Sequence, residues 1–225
     1  MRLGIIGAGQ SACTLATELI RGNFDGEILV FNGEPHRPYQ RPPLSKSWLK
    51  MPADTNILLL LPEPIENHAS IQWIGEWVKL IKPDNGEIYT EQATYRVDQI
   101  VLATGTRARR LTIKGLPPET GHVIRTLGDA ERLRQHIDDA KNITIIGAGF
   151  LAFELAATLD HPDRIIRIVA KANRLLPQVS LKTADRLVGS SPASTLVDVK
   201  IESFDTVNKS LITNHGPVPA DLVII

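Results

Sequence analysis

Two kinds of apolar pattern alternate along the chain. A first strand begins almost at Met1 and runs into Ile5-Ile6-Gly7-Ala8-Gly9; Leu15, Ala16 and Leu19 then recur at helical spacing, and Glu27 to Phe31 reads as a second strand. The same order returns later as Ile145-Ile146-Gly147-Ala148-Gly149, with Leu155, Ala156 and Leu159 at helical spacing and a strand from Ile165 to Val169. Each copy predicts strand, tight glycine turn, helix and strand, a βαβ pair of about 30 residues.

Between and after the copies the pattern shortens. Gln72 to Thr104 predicts short strands around a Pro83-Asp84-Asn85-Gly86 turn, read as a small antiparallel meander because Asn-Gly is a strong hairpin signal. Val197 to Ile225 repeats the theme around Asn214-His215-Gly216, and its ending, Ala220 to Ile225, mirrors Val97 to Leu102. Asp129 to Asp138 reads as a charged surface helix. Trp73 and Trp77 fall in strand-rich sequence and are read as core and meander packing. A Gly- and Pro-containing connection, Leu111 to Gly121, marks the domain boundary. The expectation is an α/β chain of two Rossmann-like dinucleotide-binding units, residues 1–111 and 112–225, each a parallel sheet with helices plus a small antiparallel β-meander.

Composition narrows the function. Lys and Arg number 25, Asp and Glu 25, and the formal net charge of zero argues against a broad nucleic-acid or anionic-membrane footprint. The longest wholly apolar run, Ile57 to Leu61, falls far short of the roughly 20 residues that cross a bilayer. The first strand has no charged lead-in followed by an apolar run, so a secretory signal is not expected and the cytoplasm is the default. One cysteine, Cys13, cannot form an internal disulfide and excludes Cys-pair redox chemistry within this chain; it is read as a small buried core residue. The six histidines show neither metal-ligand spacing nor a nucleophile-base pattern, and no metal site is expected. Any redox work falls to a bound cofactor.

Gly7, Ala8, Gly9, Gln10, Ser11 and Ala12 fit the G-x-G-x-x-G/A fingerprint, whose glycines let backbone N–H groups approach a diphosphate at a helix N-terminus. Glu34 stands about 20 residues past the turn, where a carboxylate accepts hydrogen bonds from a ribose. Gly147, Ala148, Gly149, Phe150, Leu151 and Ala152 form the second fingerprint. There Ala170 occupies the place of the ribose acid. Lys171 and Arg174 suit the 2′-phosphate of NADPH, or are ordinary solvated charges, and the choice between NADH and NADPH stays open.

The string Arg37-Pro38-Tyr39-Gln40-Arg41-Pro42-Pro43-Leu44-Ser45-Lys46 is more specific than either glycine motif. It resembles the signature of oxygenase-coupled ferredoxin reductases, a family that includes putidaredoxin and rubredoxin reductases, aryl-dioxygenase ferredoxin reductases and, more distantly, apoptosis-inducing factor. Ala103-Thr104-Gly105-Thr106-Arg107 resembles the family's turn near FAD, and Arg125-Thr126-Leu127, leading into Asp129-Ala130, extends the likeness along nearly the whole chain. The resemblance implies a flavoprotein that passes hydride from NADH or NADPH to FAD and then single electrons to a small iron–sulfur protein, a ferredoxin or rubredoxin. It implies that Arg41 contacts the FAD phosphates or ribose, that Pro42 and Pro43 lie against the flavin, and that Val78, Ala103, Thr104, Gly105 and Arg107 line its site. Lys46 then sits near the flavin's reactive edge, paired with Glu154, and the two are the expected catalytic residues.

Three departures qualify the likeness. The chain ends at Ile225, where family members go on to re-enter the FAD domain, so a missing return half and its Gly-Asp motif are expected. Gly33 stands where the family carries its ribose acid. Gly189 and Pro192 are expected to stop a helix early and to leave the second unit trimmed where relatives continue into another strand. The competing expectation is a non-catalytic nucleotide-binding remnant or interaction module.

Overall fold

The computed structural model describes residues 1–50 and 58–225, so the apolar run that opens at Ile57 begins outside the described residues. These residues pack as two compact units. One holds residues 1–40 and 58–106, and the other holds residues 41–50 and 107–225.

In chain order the elements up to Thr106 are β1 (Arg2–Ile6), α1 (Gln10–Arg21), β2 (Glu27–Phe31), a 3-10 turn (Pro42–Ser45), α2 (Ser47–Lys50), α3 (Glu63–Glu66), β3 (Ile71–Ile74), β4 (Leu80–Lys82), β5 (Glu87–Tyr89), β6 (Thr94–Arg96) and β7 (Gln99–Leu102). The first unit carries a parallel sheet of order β3-β2-β1-β7 and an antiparallel sheet β4-β5-β6. Strict alternation along β1 explains the layering. Leu3 and Ile5 pack with Ala12, Ile28 and Val30 on the side of α1. Ile6 packs with Leu29, Phe31, Ile88 and Val97 on the side of the meander. Both faces of the sheet are therefore covered, which is why Ile28 to Phe31 reads as one continuous apolar run. Each such large side chain contributes about 1.5–3 kcal/mol on burial.

The second unit adds β8 (Gly121–His122), α4 (Leu127–Ile137), β9 (Asn142–Ile146), α5 (Phe150–Leu159), β10 (Ile165–Val169), α6 (Leu181–Gly189), β11 (Ser194–Leu196), β12 (Ile201–Asp205), β13 (Ser210–Thr213), β14 (Gly216–Pro219) and β15 (Leu222–Ile224). Its parallel sheet runs β11-β10-β9-β15-β8, and its meander is β12-β13-β14. Val169, Val223, Phe204, Leu211 and Val218 form the core between that sheet and the meander. β7 and β15 pair with β1 and β9 in the same way, so the mirrored endings seen in sequence are equivalent strands.

The α/β expectation holds, with the second strands falling on Glu27–Phe31 and Ile165–Val169. Four details are corrected. The stretch from Gln72 is not all meander: β3 and β7, at its ends, belong to the parallel sheet. Helix α4 is charged on one side only, because Leu127, Ala130, Leu133 and Ile137 are buried on the other. Helix α6 does stop at Gly189, but β11 follows and pairs in parallel with β10, so the expected trimming at this place does not remove the strand. Trp77 is 56 % exposed and does not pack into the core, whereas Trp73 is partly buried and donates its indole N–H to the Glu66 carbonyl at 2.9 Å.

Candidate functional site

The two glycine turns leave backbone donors without side-chain partners. Helix α1 starts at an N-cap Gly9 and α5 at an N-cap Gly149; neither has a side-chain cap or an acidic residue in its first turn. The contrast with the other long helices is direct. Helix α4 begins with a reciprocal capping box between Thr126 and Asp129, and α6 begins with Ser180 accepting from the Thr183 amide. A side-chain cap adds only about a few tenths of a kcal/mol over a glycine, and the two glycine-turn helices forgo it while directing their first-turn N–H groups and the positive end of the helix dipole at whatever lies before them. A side-chain Cβ at Gly9 would meet nothing within 4 Å, and one at Gly149 only the Gln178 amide nitrogen at 4.0 Å. Both turns thus have open room and free donors, the arrangement that receives a diphosphate.

Gly7 plays a different part. Its φ of 110° and the Ala103 carbonyl oxygen, 2.2 Å from where a Cβ would stand, restrict the position to glycine. The close approach ties the first turn to the start of the Ala103-Thr104-Gly105 string, in which Gly105 has a φ of 66°. Val78 is partly buried against the Ile6, Phe31 and Ile88 core. Arg107 is exposed and opens the second unit.

At the end of β2, Asn32 is committed to its own loop, donating to the His36 carbonyl at 2.7 Å and accepting from the Glu34 amide at 3.3 Å. The Glu34 carboxylate accepts the Tyr39 hydroxyl at 2.5 Å. Glu34 therefore sits at the predicted place with part of its capacity used locally.

Residues 41–50 pack with the second unit, although the division at residue 111 had placed them in the first. Pro42 and Pro43 fix the 3-10 turn that presents Ser45 and Lys46, since their rings preset φ and they have no N–H to satisfy. Lys46 Nζ lies 2.8 Å from Glu154 Oε2, and the Ser45 hydroxyl donates to Glu154 Oε1. Both carboxylate oxygens of Glu154 are thus held, one by each neighbour. With Lys46 half exposed, such a pair contributes only about 0–1 kcal/mol to the fold, so its use is to fix a cation in place. Arg41 donates to the Arg125 carbonyl at 2.8 Å, joining the signature string to the start of α4. Ser45 lies inside that string, yet its grip on Glu154 has no signal in sequence.

Beyond the second turn a cavity of about 360 Å³ opens between the Leu111–Ile113 connection and the ends of β9 and β10, lined mainly by apolar side chains together with Lys171 and Lys200. Ala170 is buried at the place of the ribose acid. Arg174 does not line this cavity, and its guanidinium donates to the Pro177 and Val179 carbonyls at 2.7 and 3.0 Å. Lys200, just ahead of β12, was not singled out in sequence because it is remote from the glycine turn.

Burial, and then Glu66, push the Cys13 thiol up to about 12, so it is a protonated core residue rather than a nucleophile. Among the described residues no group of three or more His, Cys, Asp or Glu side chains is placed to hold a metal ion, and no helix is long and apolar enough to cross a membrane.

Known proteins share this architecture. Rhodocoxin reductase of Rhodococcus erythropolis is 34% identical over 235 residues, which cover 100% of this chain and 55% of that protein. The 3-phenylpropionate/cinnamic acid dioxygenase ferredoxin–NAD(+) reductase component of Photorhabdus laumondii is 34% identical over 174 residues, 76% of this chain and 44% of that protein. Among solved structures, a ferredoxin reductase from Rhodopseudomonas palustris superposes with a TM-score of 0.89 at 30% identity, covering 99% of this chain and 57% of that one. Putidaredoxin reductase in its covalent complex with putidaredoxin gives 0.86 at 25% identity, with 99% and 57% covered. The chain spans about half the length of the curated relatives it matches. Residues 1–225 match the family described as pyridine nucleotide-disulphide oxidoreductase, and with its two uncapped glycine turns and paired sheets the chain belongs to that family.

Proposed function

We propose that the chain is the dinucleotide-binding part of a flavoprotein oxidoreductase, holding FAD at residues 7–12 and NADPH or NADH at residues 147–152, with electrons leaving to a ferredoxin or rubredoxin. One observation carries this reading: α1 and α5 lack the caps that α4 and α6 have, and both open onto room for a diphosphate. The relatives support it, since they are named as reductases and one solved structure is a covalent complex with putidaredoxin; the remnant reading has no such support. The reading places the chain in the cytoplasm, where reduced nicotinamide cofactors are at hand.

Residues 7–12 would hold FAD, whose ring would supply hydride acceptance from the nicotinamide and release of single electrons. The chain's own residues supply orientation and charge. Ser45 and Glu154 hold the Lys46 ammonium, and a fixed cation favours the negative charge that builds up on reduction. Arg41, Pro42 and Pro43 shape the same string, while Gly7 and Ala103 to Gly105 border the first cradle and Arg107, which opens the second unit, is proposed as a further FAD contact. At the second cradle the ribose acid is replaced by Ala170, and Lys171 and Lys200 line the adjoining cavity, which favours the extra phosphate of NADPH.

The test is the visible spectrum of the purified chain mixed with FAD, followed by anaerobic addition of NADPH or NADH. Uptake of yellow colour and its bleaching by either nucleotide is the expected result. A colourless chain that takes up no FAD would overturn the reading.

A further inference from the structure

Doubly wound folds of this kind usually hold the adenosine ribose with a carboxylate just past the second strand. In the first unit that edge is built otherwise. The Gly7 amide donates to the Phe31 carbonyl at 3.0 Å and the Asn32 amide to the Ile74 carbonyl at 2.8 Å, so the glycine turn, the 32–34 loop and the 75–78 loop lie side by side at one sheet edge. Asn32 is spent on its own loop and Glu34 accepts the Tyr39 hydroxyl. Gly33 has no side chain, and the space where one would start is taken: a Cβ there would stand 2.2 to 2.6 Å from the indole ring of Trp77.

Trp77 lies against the Gly33 backbone and is nonetheless 56 % exposed. The other two tryptophans are unlike it, Trp48 being buried and Trp73 partly buried with its N–H bonded. A ring with one face on the backbone and another open is the form of a stacking platform, and a purine stacks on such a face without needing a matched hydrogen-bond pattern. Glycine and tryptophan are a matched pair here, because any larger residue at 33 would displace the ring.

We propose that Trp77, seated on Gly33, is the residue that holds the adenosine end of the dinucleotide in the first unit, by aromatic stacking in place of the usual carboxylate-to-ribose contact. The inference rests on the proposal that the first unit binds FAD. It assigns Trp77 as a binding residue for the adenosine moiety, whatever group sits at the far end of the diphosphate.

The test measures FAD and ADP affinity by titration calorimetry for the wild-type chain, Trp77→Ala, Trp77→Phe and the double variant Gly33→Glu/Trp77→Ala. Truncation to alanine is expected to weaken FAD about tenfold or more, phenylalanine to stay within about threefold of wild type, and the double variant to recover part of the loss through a restored acid. Because Trp77 is exposed, circular dichroism of the alanine variant is expected to match wild type. As an independent readout, ADP should quench the wild-type indole emission by more than that of Trp77→Phe. Wild-type FAD affinity in a folded Trp77→Ala chain, or equal quenching in both proteins, overturns the assignment and leaves the first unit's FAD site standing. A wild-type chain that binds no FAD overturns both.

Discussion

The two glycine turns share the string Ile-Ile-Gly-Ala-Gly and stand in different surroundings. Both opening glycines have a positive φ, 110° at Gly7 and 159° at Gly147, but Gly7 is pressed against the Ala103 carbonyl whereas Gly147 has nothing within 4 Å of the direction a side chain would take. Past the strand that follows, the first unit has a glycine covered by an exposed indole, and the second has a buried alanine beside two lysines at a cavity. One repeated motif thus stands in two settings: α1 and α5 keep the same uncapped starts, while the residues past the following strand have diverged. What a glycine in such a motif is for is decided by what lies opposite it.

The largest expected effect separates the two turns by fold alone. Gly7→Ala should destabilise the chain by about 3 kcal/mol or more, through backbone strain at positive φ and collision with Ala103. Gly147→Ala keeps the backbone strain of a φ of 159° but meets no neighbour, so it should cost less than Gly7→Ala. Urea unfolding of both variants measures the gap, and equal losses would erase the distinction. Next comes the fixed cation. Lys46→Ala should slow flavin reduction by NADPH roughly tenfold or more while FAD affinity changes little, which stopped-flow absorbance resolves; unchanged kinetics would remove Lys46 from the chemistry.

A smaller effect belongs to the second unit's cavity. Lys171→Glu should lower the preference for NADPH over NADH by roughly tenfold, about 1.4 kcal/mol, and a preference that does not move would make Lys171 an ordinary surface charge. The smallest concerns β8. Burial holds the His122 imidazole below its ordinary range, outweighing the hydrogen bond to the Glu119 carbonyl, and His136 and Arg132 add to the depression. The neutral ring is therefore favoured in the folded chain, and as pH falls below about 6.5 the unfolded chain takes up the proton first, so stability declines. Denaturation at pH 7.5 and 5.5 should show a loss in wild type that is reduced in His122→Asn.

Much of this was legible in sequence, for identifiable reasons. Strands buried on both faces, such as Glu27–Phe31 and Ile165–Val169, leave continuous apolar runs between turn residues. β3 was misread as meander because it is the edge of its sheet, and Ile71 to Ile74 alternates in exposure as an antiparallel strand would. β11 has only three residues and leaves no periodicity to read. The Lys46–Glu154 pair came from resemblance, and its distance in sequence would otherwise have hidden it. The contacts of Ser45, Lys200 and the Trp77–Gly33 pair were not legible, since each forms only when the chain brings distant residues together.

The central claim is that both glycine turns are diphosphate cradles and that each serves its own nucleotide. Gly9→Asp and Gly149→Asp test it most directly, because each position has ordinary backbone angles and room for a side chain, so the fold should persist while a carboxylate faces the phosphates. Titration calorimetry should show Gly9→Asp losing FAD while keeping NADPH, and Gly149→Asp losing NADPH while keeping FAD. Folded variants that retain both ligands, or that each lose both, would contradict the account.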